Sequence, residues 1–199
     1  MMTTLRNRAT EPRVFRELVQ KLGRFLAAQT TANLAMQPIE ITTGTGVHIT
    51  SPVIQTPVAL VPILRAGLGL LDPFLEILPA SYIWHVGMGR DEATLKPKLY
   101  LNAIPEKLPF SPNAGVCYVL DTMLATGGTA CAVIDLLKAS GVKQIVFIGI
   151  LAAPEGVARL EQAHPDVEIL LIALDHHLNE HGFIIPGLGD AGDRQFPKI

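Results

Sequence analysis

The stretch Val116-Cys117-Tyr118-Val119-Leu120-Asp121-Thr122-Met123-Leu124-Ala125-Thr126-Gly127-Gly128-Thr129 decides the fold. It opens on an unbroken apolar run, the pattern of a strand covered on both faces. An acid ends the run, a glycine-bearing polar turn follows, and residues 129–139 then repeat at helical spacing. Strand, turn and helix in that order make one unit of a parallel sheet.

The unit recurs on either side. Residues 58–62, 82–86, 145–151 and 169–174 are further short apolar runs, and 66–78 and 155–163 are helical patterns between them. Apolar strands alternating with helices imply an α/β fold, a parallel β-sheet flanked by helices on both faces. Upstream, Thr10-Glu11-Pro12 starts a helix, with a polar cap ahead of a proline in the first turn. Val14, Phe15, Leu18, Val19, Leu22, Phe25 and Leu26 carry it to about Thr31. Gly44 and Gly46, with prolines on both sides, then mark a looped or hairpin region with short β segments at 39–42 and 47–49.

A length of 199 residues implies a single domain over 1–199. Charged residues are only 17% against 49% hydrophobic, below the roughly 25% charged of an average domain. Part of the surface is therefore expected to be buried against another subunit. The net charge of −2 speaks against nucleic acid, which needs clustered lysine and arginine. Cys117 and Cys131 have no CxxC spacing, which fits a reducing, cytoplasmic setting. The charge-free stretch 41–64 carries Pro52, Pro57 and Pro62 and cannot be a spanning helix, so no membrane association is expected.

Ligands of parallel sheets bind at the carboxyl ends of the strands. After the run 116–120, Asp121 can accept hydrogen bonds from sugar hydroxyls. Thr126, Gly127, Gly128 and Thr129 then stand at a helix N-terminus, where unpaired N–H groups and the dipole attract a phosphate. No Gly-Lys-Ser/Thr follows, so this is not a Walker loop. Arg65 follows the run 58–62, and Arg90 follows 82–86 among glycines; together they could grip a diphosphate. Residues after Arg90, through Lys96-Pro97-Lys98, read as a polar excursion over a ligand. Near the end, Gly187-Leu188-Gly189-Asp190-Ala191-Gly192 matches G-x-G-x-x-G by letter. Too little chain follows for a dinucleotide fold, and no helix is expected there. The segment reads instead as a glycine-rich loop whose freed backbone groups suit a small flat polar ligand. His176, His177 and His181 are read as polar or capping residues rather than metal ligands, and Cys131 as a small core residue.

Taken together, 61–67 with its Arg65-Ala66-Gly67, 121–129, Ala153-Pro154-Glu155-Gly156, Leu178-Asn179-Glu180-His181-Gly182 and 185–193 resemble the uracil phosphoribosyltransferases, over about 5–196. The TGGT turn alone would indicate only the wider type I phosphoribosyltransferases. The resemblance implies conversion of uracil and 5-phosphoribosyl 1-diphosphate (PRPP) to UMP and diphosphate, with Mg²⁺ carried on PRPP. It implies a type I core with a small hood over the base, assembled as a homodimer or higher homo-oligomer. Asp121, Thr122, Met123, Leu124, Ala125, Thr126, Gly127, Gly128 and Thr129 would bind the ribose and its phosphate. Arg65 and Arg90 would bind the diphosphate. Ile184, Gly189, Asp190 and Ala191 would bind uracil, with Asp190 also facing PRPP or its magnesium, so Arg65, Arg90 and Asp190 are the candidate catalytic residues. The chain departs from the family pattern at Thr122, where proline is usual, at Gly89, where tyrosine is usual, and at His177. A phosphoribosyltransferase for another base, or a non-catalytic PRPP-sensing regulator, stays open as an alternative.

Overall fold

The computed structural model describes residues 1–90 and 97–197, and for Arg90 and Pro97 the backbone alone. The chain begins with α1 (Met2–Arg6) and α2 (Pro12–Thr31). Pro12 stands at the start of α2, as its sequence implies, but no side chain caps the helix; the Thr10 hydroxyl donates instead to the Thr4 carbonyl of α1. Phe15, Leu18, Val19, Leu22 and Leu26 are buried along one face, while Phe25 points outward. A hairpin follows, β1 (Met36–Thr42) and β2 (His48–Ile54), longer than the sequence suggested.

The main sheet begins with β3 (Val58–Leu64), followed by α3 (Leu68–Ile77). The expected strand 82–86 divides into β4 (Tyr82–Ile83) and β5 (Val86–Arg90). Both lie parallel to β3, at different heights, and the Trp84 N–H joins Leu60 between them. Residues 91–96 of the expected excursion lie outside the described residues. Pro97 opens not a loop but β6 (Pro97–Asn102), antiparallel to β5 at the sheet edge. The remainder is β7 (Val116–Leu120), β8 (Met123–Leu124), α4 (Gly128–Ala139), β9 (Gln144–Ala152), α5 (Pro154–Ala163), β10 (Glu168–Leu174), β11 (His177–Leu178), β12 (Ile184–Ile185) and α6 (Ala191–Gln195). The short α6 corrects the expectation that no helix forms around Gly192. Its first turn is fastened by the Asp190 carboxylate, which accepts the Asp193 N–H at 2.8 Å.

Strand order is β10-β9-β7-β3-β5-β6, parallel except for β6. Alternate residues of each apolar run serve opposite faces. Val58 and Leu60 join α2 and α3 in one core, while Ala59, Val61 and Ile63 join α4 and α5 in the other. That is why these runs are continuous rather than alternating. Among the described residues no helix is long and apolar enough to cross a membrane.

The two ends of the described chain are bound together. Arg6 donates to both carboxylate oxygens of Asp175, at 2.6 and 2.5 Å, and to the Gly187 carbonyl at 2.9 Å. Asp175 also accepts the Gly187 N–H at 2.8 Å. Arg194 reaches back to the carbonyls of Leu5 and Asn7 at the close of α1, and its guanidinium lies 4.4 Å from the Phe15 ring. The Arg6 guanidinium holds the Asp175 carboxyl below the usual carboxylate range. Arg6→Ala would leave that carboxylate buried without its counter-charge, a loss of about 3 kcal/mol. Urea unfolding should show it, with faster hydrogen exchange at the Gly187 amide. Arg6→Lys should recover only part, because an ammonium cannot make the paired contact. Unchanged stability and exchange in Arg6→Ala would show that the pair carries no strength.

Candidate active site

β3 and β7 are adjacent in the middle of the sheet, and Arg65 and Asp121 each stand one residue past a carboxyl end. Arg65 follows a cis peptide from Leu64. Its guanidinium is steadied from the far end of the chain, by Asp193 Oδ1 at 2.5 Å and the Phe196 carbonyl at 2.9 Å. Asp121 is half-buried. Its Oδ1 accepts the Thr122 N–H at 2.7 Å, a bond that a proline at 122 could not donate. Burial pushes the Asp121 carboxyl up to about 7; the N–H groups of Thr122 and Met123 oppose that shift, and the nearby charge of Asp190 adds to it.

The stretch after Asp121 is not one open loop. β8 lies on β9, so Thr122 and Leu124 turn into the sheet, each 1% exposed. The Thr122 carbonyl accepts from Ile150 and Leu151, and its hydroxyl has no partner among the described residues. Met123, Ala125 and Thr129 face the opposite way, into a cavity. Thr126, Gly127 and Gly128 form the turn into α4. Gly127 caps that helix at φ +73°, a left-handed conformation that favours glycine, and a Cβ there would meet the Gly156 carbonyl at 2.8 Å. The turn therefore brings α4 in with its first N–H groups unpaired along the axis. Arg159 on α5 donates to the Thr126 carbonyl at 3.4 Å and sets a positive charge beside it. Sequence reasoning passed over Arg159, because a single arginine on an amphipathic helix has no local mark of function.

The last wall is the hairpin of β11 and β12, then a cis Ile185–Pro186 bond, the turn at Gly187 and α6. The glycine-rich loop is less free than its sequence suggests, since the N–H and carbonyl of Gly187 are already taken by Asp175 and Arg6. Two cavities meet here, about 490 and 360 Å³, with Ala66, Asp121, Thr129, Asp190 and Gly192 common to both. Arg65 opens on the larger. Met123, Ala125, Ile184, Gly189 and Ala191 line the smaller, under a hood of His181, Gly182 and Phe183. Thr122, Leu124, Thr126, Gly127 and Gly128 line neither cavity, and the Arg90 side chain lies outside the described residues. Cys131 is buried on α4, and among the described residues no group of three or more His, Cys, Asp or Glu could hold a metal ion.

A glycine turn at a helix N-terminus, a cavity opening on Arg65 and a hooded pocket stand on one floor. A family model described as uracil phosphoribosyltransferase matches residues 1–197. The chain belongs to the uracil phosphoribosyltransferase family. The uracil phosphoribosyltransferase of Roseiflexus castenholzii is 49% identical over 195 residues, 98% of this chain and 91% of that one. That of Streptococcus agalactiae is 44% identical over the same shares. A solved Aquifex aeolicus protein superposes with a TM-score of 0.89 at 32% identity, over 98% of this chain and 91% of its own. An adenine phosphoribosyltransferase from Thermoanaerobacter pseudethanolicus shares the fold alone, with a TM-score of 0.52, 12% identity, and 78% and 80% covered. The enzyme is a pentosyltransferase with the type I phosphoribosyltransferase fold.

The raised Asp121 carboxyl sets a direction for stability. A folded state that holds this proton up to about pH 7 gains fully below the ordinary carboxylate value, 3.8, and loses that gain as pH rises through 7. Asp121→Asn cannot lose a proton. Without ligands, its melting temperature should rise relative to the unsubstituted enzyme between pH 5 and pH 8. Calorimetric melting across that range checks it, and a constant difference would mean that Asp121 titrates like a surface carboxylate.

Proposed function

We propose that the chain, folded as one domain, transfers the 5-phosphoribosyl group of PRPP to uracil, giving UMP and diphosphate in pyrimidine salvage. The observation that carries this reading is the shared floor. Asp121, Thr129 and Asp190 border the arginine-lined and the hooded cavity alike, so one sugar can lie between a departing diphosphate and an incoming base. The turn from Ala125 to Thr129 receives the 5-phosphate, and Asp121 the ribose hydroxyls. Arg65 and Arg90 take the diphosphate. Ile184, Gly189, Asp190 and Ala191 hold uracil.

Uracil N1 forms its bond to the anomeric carbon as the carbon–oxygen bond to diphosphate breaks, and the N1 proton is lost. Positive charge grows on the sugar and negative charge on the leaving oxygen, so catalysis rests on alignment and prearranged charge. No protein nucleophile is required. Asp121 and Asp190 are neighbouring carboxylates, the charge of Asp190 adding to the proton affinity of Asp121, and such oxygen donors fit a hard cation arriving with PRPP. Mg²⁺ held there would offset charge on the diphosphate. The preference for uracil comes from fixed hydrogen-bonding groups of the 184–191 loop, which meet an N3–H donor and an O4 acceptor in uracil but the reverse in cytosine.

Self-association and a cytoplasmic setting belong to the same reading. Residues of β1 are exposed throughout, and pairing puts Ile39, Ile41, Ile49 and Val53 on one face of the hairpin. A lone two-stranded ribbon is marginal in water. A second copy of the chain covering that face supplies the missing burial.

The test is a nucleobase panel. With PRPP and Mg²⁺, the purified protein should make UMP from uracil and discriminate against cytosine by about 10⁴. Product from another base, with none from uracil, would overturn the assignment.

A further inference from the structure

The pairing of β5 with β6 slips by one residue. Gly87 faces Leu101 while Met88 faces Leu99, which leaves Tyr100 as the extra residue of a β-bulge. A bulge re-aims a side chain, and bulges gather beside active sites. The ring of Tyr100 lies across the backbone of Gly87. A Cβ built on Gly87 would fall 2.3 Å from Cε2 and 2.6 Å from Cζ, so any side chain at 87 would displace the ring. Gly89 leaves the space on the other side open, with 3.9 Å to Cδ1. Tyr100 is 59% exposed, so this seat contributes little to the core. Its outlet is the larger cavity, where Tyr100 stands with Arg65, Asp121 and Asp190.

That cavity is poorly matched to a polyanion by charge alone. Among its described lining residues, three carboxylates, Asp121, Asp190 and Asp193, stand against one guanidinium. Two donors of that guanidinium already serve Asp193 and the Phe196 carbonyl. A phenol adds a neutral hydrogen-bond donor without a further charge. We propose that Tyr100 is a PRPP-binding residue, its hydroxyl donating to a phosphate oxygen of the diphosphate, with the bulge and Gly87 as its seat. This rests on the assignment of the larger cavity to PRPP.

Tyr100→Phe keeps the ring and removes the hydroxyl, and Gly87→Ala keeps the hydroxyl and displaces the ring. Two measurements decide: KM for PRPP and for uracil separately, and calorimetric titration of PRPP with Mg²⁺ in the absence of uracil. Loss of one hydrogen bond to a charged group should weaken PRPP roughly tenfold in Tyr100→Phe, in both KM and Kd. KM for uracil should stay within twofold, and Gly87→Ala should shift PRPP in the same direction. A purely structural tyrosine would move both substrates together or neither. Enzyme that binds PRPP no more tightly than Tyr100→Phe would overturn this inference alone. Unsubstituted protein that takes up no PRPP would overturn the cavity assignment, and this inference with it.

Discussion

One carboxylate organises the working end of the molecule. Asp175 follows β10 at the sheet edge, almost fully buried, and a charge in that position must be answered by strong donors. The answers come from both directions along the chain: two bonds from Arg6 and one from the Gly187 amide. The first helix and the last loop are thereby fixed to the same point. From Gly187 the constraint passes to α6, where Asp190 holds the Asp193 N–H and Asp193 holds Arg65. The loop that lines the hooded cavity and Arg65 at the rim of the larger one are consecutive links of one polar chain that begins at Asp175.

The floor of the site works by a different balance. Burial makes the Asp121 carboxylate costly to ionise, and the nearby charge of Asp190 adds to that cost. A proton on Asp121 relieves this, and so does an arriving cation. In the proposed reaction the same balance would draw in the positive charge that accompanies the substrate. Arg65, fixed at the rim by Asp193 and Phe196, would meet the negative end.

The main sheet could be read from sequence because strands covered on both faces must be apolar at every position. The runs at 58–62, 116–120, 145–151 and 169–174 state this directly. The run at 82–86 reads as one strand because two short strands at different heights on β3 follow each other closely. β6 was hidden by its proline and lysine, which an edge strand tolerates. β8 is too short to show any period. In the site, Arg65, Asp121, Thr129 and Asp190 were legible because strand ends and glycine turns advertise themselves locally. Arg6, Asp175, Arg194 and Arg159 were not, since each acquires its role from a partner on another element. Tyr100 is visible only through a one-residue slip in pairing.

The bond between Arg6 and Asp175 spans 169 positions. During synthesis, Arg6 is made early and its counter-ion far later. The strands and helices between them can assemble from near neighbours while the chain is still growing. Helix α1 cannot, because the acid it needs and the Arg194 that closes its last turn do not yet exist. The leading segment lacks these partners until the trailing one arrives, so the hooded cavity is completed after the main sheet.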